Sequence, residues 1–167
     1  MNANGSTDEA QNKADELLEL IQKNPHKKAM KFYYDLMARI ELERGDISKA
    51  IEYSQKAVSL LSHQRYLNYW EQAPILNTLA MAYYKFRDWK NAREIYMWII
   101  SLTMGRIDCG DIYALSYYML GKIHEQEGNR ALAAEHYEKF LSLWKDADPG
   151  IAEVEDAREK LSGLKSQ

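Results

Sequence analysis

The chain has 167 residues, 46% of them hydrophobic and 28% charged, with a formal net charge of −3 and a pI near 5.8. That is enough for one domain with a substantial core, and the acidic balance argues against a general nucleic-acid binder, which carries a basic field. A single cysteine, Cys109, excludes an internal disulfide and a CxxC metal or redox site.

Only three prolines and eight glycines interrupt the chain, which favours an all-α protein. No apolar run approaches the ~20 residues that a membrane-spanning helix needs, so membrane insertion is not expected. The N-terminal MNANGSTDEAQNKADE lacks the basic-then-apolar pattern of a signal peptide. Residues 1–7 are expected to be a disordered leader, residues 8–167 a single domain, and the location cytoplasmic.

Asp8 is placed to cap a first helix carrying Leu17, Leu18, Leu20 and Ile21, which Asn24-Pro25 ends. A second helix is predicted from about His26 to Arg44, with Met30, Tyr33, Tyr34, Met37, Ile40 and Leu42 on a broad apolar face. Gly45 supplies a left-handed stop and Asp46 a cap for the next helix, which holds Ala50, Ile51, Ala57 and Val58. Ser62 to Gln72 contains neither Gly nor Pro and favours continued helix, and Pro74 suits the first turn of another. Leu76, Leu79, Ala80 and Tyr83 lie on that helix, and Asp88 caps its successor, with Trp89, Ala92, Tyr96 and Ile99. A connector from Gly105 to Gly110 leads to Asp111, expected to cap the helix that contains Leu120, Gly121 and His124. Gly128-Asn129 breaks that helix and caps its partner, with Ala133, Tyr137 and Phe140, and Asp148-Pro149 announces a closing helix along Ile151, Val154, Ala157, Leu161 and Leu164.

These elements repeat. The caps Asp46, Asp88 and Asn129 are spaced by 42 and 41 residues, as are the small residues Ala50, Ala92 and Ala133. The same spacing relates Ala38, Ala80 and Gly121, and also Met37, Leu79 and Leu120. Repeats at one fixed period are the mark of a stacked helical array.

The third copy, with Tyr117, Leu120-Gly121, His124, Gly128, Ala133, Tyr137 and Phe140, resembles the tetratricopeptide repeat (TPR). The second copy keeps Leu79-Ala80, Tyr83, Ala92 and Tyr96; the first has Glu41 and Ser54 at the aromatic positions. The resemblance implies a right-handed α-solenoid of antiparallel helix pairs, at residues 31–72, 73–113 and 114–147, with a capping helix at 149–164. The period exceeds the family's ~34 residues by roughly two helical turns. The extra length is expected at the ends of the second helices and in the connectors, Leu61 to Gln72 and Met104 to Asp111. The third copy and the tail from Trp144 to Gly150 with Val154 to Lys160 also resemble the C-terminal ends of large bacterial TPR proteins. That likeness implies a module of a larger bacterial protein.

No constellation for catalysis or metal binding emerges, so neither enzymatic activity nor a cofactor is expected. His124 takes the repeat's aromatic core position, which favours packing over ligation, and His136 is expected on the outer surface. The basic stretch His26-Lys27-Lys28 with Lys31 reads as a solvated face. Trp89, Tyr96, Trp98, Tyr137 and Trp144 are expected to serve packing.

By TPR geometry the resemblance turns Asp35, Arg39, Asn77, Met81, Tyr84, Lys85, Tyr118, Lys122 and Gln126 toward the concave face. They form the candidate site for a protein or peptide partner. The clamp by which some family members hold carboxylate tails is absent, because its positions carry Asp35, Arg39, Thr78, Leu115 and Met119. The alternative role is assembly, in which Tyr66-Leu67-Asn68-Tyr69-Trp70 drives homo-oligomer formation or intramolecular docking.

Overall fold

A computed structural model of the protein describes residues 3–23, 29–61, 69–102 and 109–166. Its described residues form eight helices and no strand: α1 (Ala3–Lys23), α2 (Met30–Arg44), α3 (Ile47–Ser59), α4 (Tyr69–Lys85), α5 (Trp89–Ser101), α6 (Gly110–Gln126), α7 (Arg130–Leu143) and α8 (Ala152–Lys165). Each helix packs on the next in sequence, and α4 also touches both α2 and α6. This is the neighbour-to-neighbour packing of a helical-repeat solenoid. Three pairs, α2/α3, α4/α5 and α6/α7, stack between α1 and the closing α8.

The turn inside each pair is built the same way three times. Asp46 Oδ1 accepts the Lys49 N–H at 3.1 Å, Asp88 Oδ1 accepts from Asn91 at 3.1 Å, and Asn129 Oδ1 accepts from Leu132 at 3.3 Å. Each cap satisfies one amide that the helix start leaves without a partner. The preceding residue is left-handed in every copy: Gly45 at φ 82°, Arg87 at φ 64° and Gly128 at φ 74°. Glycine adopts that conformation without a Cβ penalty, whereas Arg87 does not.

Small residues bring the paired helices together. Ala50, Ala92 and Ala133 on the second helices are fully buried, as are Ala38 and Ala80 on the first. At Gly121 the approach is tighter still. An added Cβ would stand 2.6 Å from Tyr137 Cε1 and 2.7 Å from its Cδ1. Tyr96 and Tyr137 are fully buried at matching places in α5 and α7, and Ser54 fills the same place in α3. The first pair therefore carries a polar interior where the others carry rings: Ser54 Oγ lacks a hydrogen-bond partner, and buried Glu41 pairs with Arg44 at 2.9 Å.

Several expectations are corrected. α1 begins at Ala3, so residues 3–7 are helical and Asp8 lies inside the helix. The second helices end at Ser59 and Ser101, without the expected extension, and α4 starts at Tyr69. Pro74 accordingly sits within α4 rather than in its first turn. Asp111 is inside α6, whose N-cap is Cys109, and Asp148 lies ahead of α8, whose N-cap is Ile151. Lys31 is buried and forms an ion pair with Glu71 of α4, contrary to a solvated face. Of the remaining basic stretch, His26, Lys27 and Lys28 lie outside the described residues.

Candidate partner-binding face

First helices α2, α4 and α6 line one side of the stack, and the nine candidate residues lie on them. Four of the nine, Arg39, Asn77, Met81 and Lys85, line a single groove of about 330 Å³ that α2, α4 and Ile112 of α6 build. The same groove is also lined by Leu42, Glu43, Pro74, Thr78 and Ile112. Sequence reasoning missed Glu43, although the period places it in register with Lys85 and Gln126.

Asp35 lies beside the groove rather than in it. Only 9% of it is exposed, and its Oδ2 forms an ion pair with Arg39, 3.0 Å from Nε. Thr78 stands close, but its hydroxyl donates to the Pro74 carbonyl at 3.2 Å, and Asp35 Oδ1 is buried without a hydrogen-bond partner. Burial pushes the Asp35 carboxyl above its ordinary range, and the Arg39 charge only partly offsets it. On the far side, Asn77 Nδ2 sits 3.7 Å from Met81 Sδ. Met81 is exposed, as is Lys85.

The other candidates are differently placed. Tyr84 is half-buried, with its ring 5.0 Å from that of Trp89. Tyr118 is buried beneath α8, and its hydroxyl donates to Asp156 Oδ2 at 2.8 Å. Desolvation, followed by that carboxylate neighbour, raises the Tyr118 phenol well above its usual range. Lys122 Nζ lies 3.2 Å from the same hydroxyl and 5.1 Å from the Tyr118 ring centre, while Gln126 is exposed. Of the segment expected to drive assembly, Tyr66, Leu67 and Asn68 lie outside the described residues.

His124 is buried, as its register with Tyr83 implies. His136 is half-buried, its ring 5.2 Å from that of His124 and 6.0 Å from that of Tyr117. His124 Nδ1 lies 3.3 Å from Glu127 Oε2 but out of line for a hydrogen bond, and Glu127 itself pairs with Arg93 of α5. Burial, then His136, holds the His124 imidazole below its ordinary pKa, with Arg93 adding to the effect against the pull of Glu127. Among the described residues no three His, Cys, Asp or Glu side chains gather as a metal site, and no helix is long and apolar enough to cross a membrane.

Stacked pairs with a continuous face of first helices define a helical-repeat protein. Residues 114–143, which are the α6/α7 pair, match the family model of the tetratricopeptide repeat. The third pair thus matches a tetratricopeptide repeat. The crystal structure of BtubC (BKLC) from P. vanneervenii superposes with a TM-score of 0.72 at 16% identity, covering 99% of this chain and 84% of that one. The likeness is one of fold. Comparison with curated protein sequences finds no match. Tetratricopeptide repeats are in general non-catalytic scaffolds that bind proteins or peptides.

Proposed function

We propose that the chain is a non-catalytic scaffold that binds a protein or peptide segment along the concave face formed by α2, α4 and α6, as a module of a larger bacterial protein. The carrying observation is convergence: Arg39 from one helix pair and Asn77, Met81 and Lys85 from the next line one groove. A guanidinium, an amide, a thioether and an ammonium supply orienting hydrogen bonds beside an adaptable apolar contact, which is what an extended peptide requires. The repeat supplies a rigid frame for them, since each groove side chain stands on a helix whose opposite face is core.

The test is capture of peptides from a phage-displayed random library by the whole chain. Asn77→Ala and Lys85→Glu are expected to lose captured peptides while leaving the melting temperature unchanged, because neither side chain belongs to the core. Capture that persists through both substitutions would remove this groove as the binding face.

A further inference from the structure

The two joints between successive pairs are made differently at one register. Tyr83 of α4 and His124 of α6 hold matching places, and each is tied to the pair before it. Tyr83 takes a neutral bond: its hydroxyl accepts from Gln55 Nε2 of α3 at 2.9 Å. His124 is reached through a carboxylate. Glu127 pairs with Arg93 of α5 through one oxygen, Oε1, and its other oxygen, Oε2, lies 3.3 Å from His124 Nδ1. The phenol and amide of the first joint do not titrate near neutral pH, whereas the imidazole of the second does.

Another imidazole stands against it. The His136 ring of α7 is 5.2 Å from the His124 ring, and its Nδ1–H donates to the Leu132 carbonyl at 2.8 Å, so an added proton goes to Nε2. At the place of His136 the second pair carries Ile95 and the first Tyr53, so the imidazole pair belongs to the third pair alone. His124 is 6% exposed, and the charged groups acting on it are His136 from α7, Glu127 from α6 and Arg93 from α5. The surrounding groups are engaged elsewhere. Asp156 and Lys160 of α8 meet Tyr118 at 2.8 Å and Glu125 at 3.7 Å, and Glu138 of α7 pairs with Lys165 at 2.6 Å. On the α4 side, Tyr84 acts with Glu125 and Asp156, and Glu135 and Lys139 beside His136 are exposed and opposite in sign. Acid therefore sets two imidazolium ions beside a guanidinium, with Glu127 as the one carboxylate among them. Its single charge cannot balance three cations, and burial adds to the cost at His124.

We propose that the joint between the second and third pairs is an acid-sensitive hinge: with both imidazoles neutral it is closed, and protonation of His124 and His136 separates α6, α7 and α8 from α5 as one unit. In a solenoid each pair contacts only its neighbours, so a loss at one joint stays at that joint. Ile112 of α6 lines the groove, so opening also removes part of its wall. Burial holds the His124 imidazole below its ordinary range, so the joint is at full strength above about pH 6.5 and weakens as pH falls toward the native value. The hinge does not depend on what occupies the groove.

Hydrogen exchange read by mass spectrometry on the whole chain, at about pH 7.5, 6.5 and 5.5 and corrected for intrinsic rates, tests this. Opening of residues 110–165 is expected to rise several-fold at the lowest pH, while residues 30–59 keep their protection. The ceiling is about tenfold per imidazole for each pH unit below the ordinary histidine value. His136→Ile, which copies Ile95, and His124→Tyr, which copies Tyr83, should each reduce the rise. Because His124→Tyr enlarges a buried ring, proton NMR titration of the four histidines in the unaltered chain, assigned with His136→Ile, gives a second reading. At least one imidazole lost on assignment or coupled to it is expected to titrate below the ordinary range. Four imidazoles that all titrate near pH 6.5 would overturn the proposal, as would protection lost equally from residues 30–59 or a rise unchanged in His136→Ile.

Discussion

Gly121→Ala tests the closest contact in the fold. The new methyl would lie 2.6 Å from Tyr137 Cε1 and 2.7 Å from Cδ1, inside any normal carbon contact. The obstacle is the side of a fully buried ring and not a flexible chain end. Overpacking of this kind costs about 1–3 kcal/mol, and the better helix propensity of alanine returns about 1 kcal/mol. The second pair holds Ala80 together with Tyr96, both fully buried, so a ring can coexist with alanine at this register. Tyr137 differs because its hydroxyl donates to Glu125 at 2.7 Å, whereas the Tyr96 hydroxyl has no partner. Moving the ring aside therefore strains a hydrogen bond worth about 1 kcal/mol. A net loss of about 1–3 kcal/mol follows, or ~2–12 °C in melting temperature for a domain of this size, read by far-UV circular dichroism. Tyr137→Ser alone should cost more, about 3–5 kcal/mol by the scale of large aromatic truncations. Added to Tyr137→Ser, however, Gly121→Ala should stabilise, because it recreates the Ala38–Ser54 pair of the first repeat. A rise in melting temperature for Gly121→Ala with Tyr137 in place would refute the close approach.

Arg87→Gly should leave the melting temperature unchanged or raise it, since relief of a left-handed non-glycine conformation, about 1–2 kcal/mol, exceeds the extra chain entropy of about 0.4–1 kcal/mol; a clear fall would contradict the φ of 64°. Asp88→Ala removes the bond to the Asn91 amide and should cost about 1 kcal/mol in urea unfolding, and an unchanged midpoint would show that the cap is not needed. Asp35→Asn should not destabilise, because burial opposes the charged form more than Arg39 favours it; a drop of several degrees would reverse that balance. Because the His124 pKa is lowered on folding, the unfolded chain takes up a proton near pH 6.5 that the native state refuses. Stability is fully retained above that pH and falls as pH drops toward the native pKa; His124→Tyr, matching Tyr83, should flatten this slope, and an equal slope in the variant would exclude His124 as its source.

The features that the sequence displayed best are those set by local chemistry. A cap needs an acceptor side chain at a helix start, and a left-handed stop favours glycine, so Asp46, Asp88, Asn129, Gly45 and Gly128 could be read directly. Arg87 could not, because nothing in an arginine announces a positive φ; only its register with Gly45 and Gly128 betrays it. Helix lengths were harder. Nothing local marks the stop of α3 at Ser59 or the start of α4 at Tyr69, five residues ahead of Pro74. Ion pairs between elements were invisible for a different reason. Lys31 and Glu71 belong to separate helices, and only the stacking of α2 on α4 turns a lysine that looks solvated into a buried partner.

The same reasoning explains why the candidate face divides. Residues at one register share a direction, so the nine candidates fall on one side of the stack. What then meets each of them depends on the neighbour beyond. Tyr118 and Lys122 meet α8, because the third pair is the last and its exposed side must be covered by something with a polar back. Arg39, Asn77, Met81 and Lys85 line a groove shared with Leu42, Glu43 and Ile112, since the helix that follows α2 along this face is α4 of the second pair. The packing of α8 on α7, like that of α4 on α3 and α6 on α5, continues the stack past its last pair.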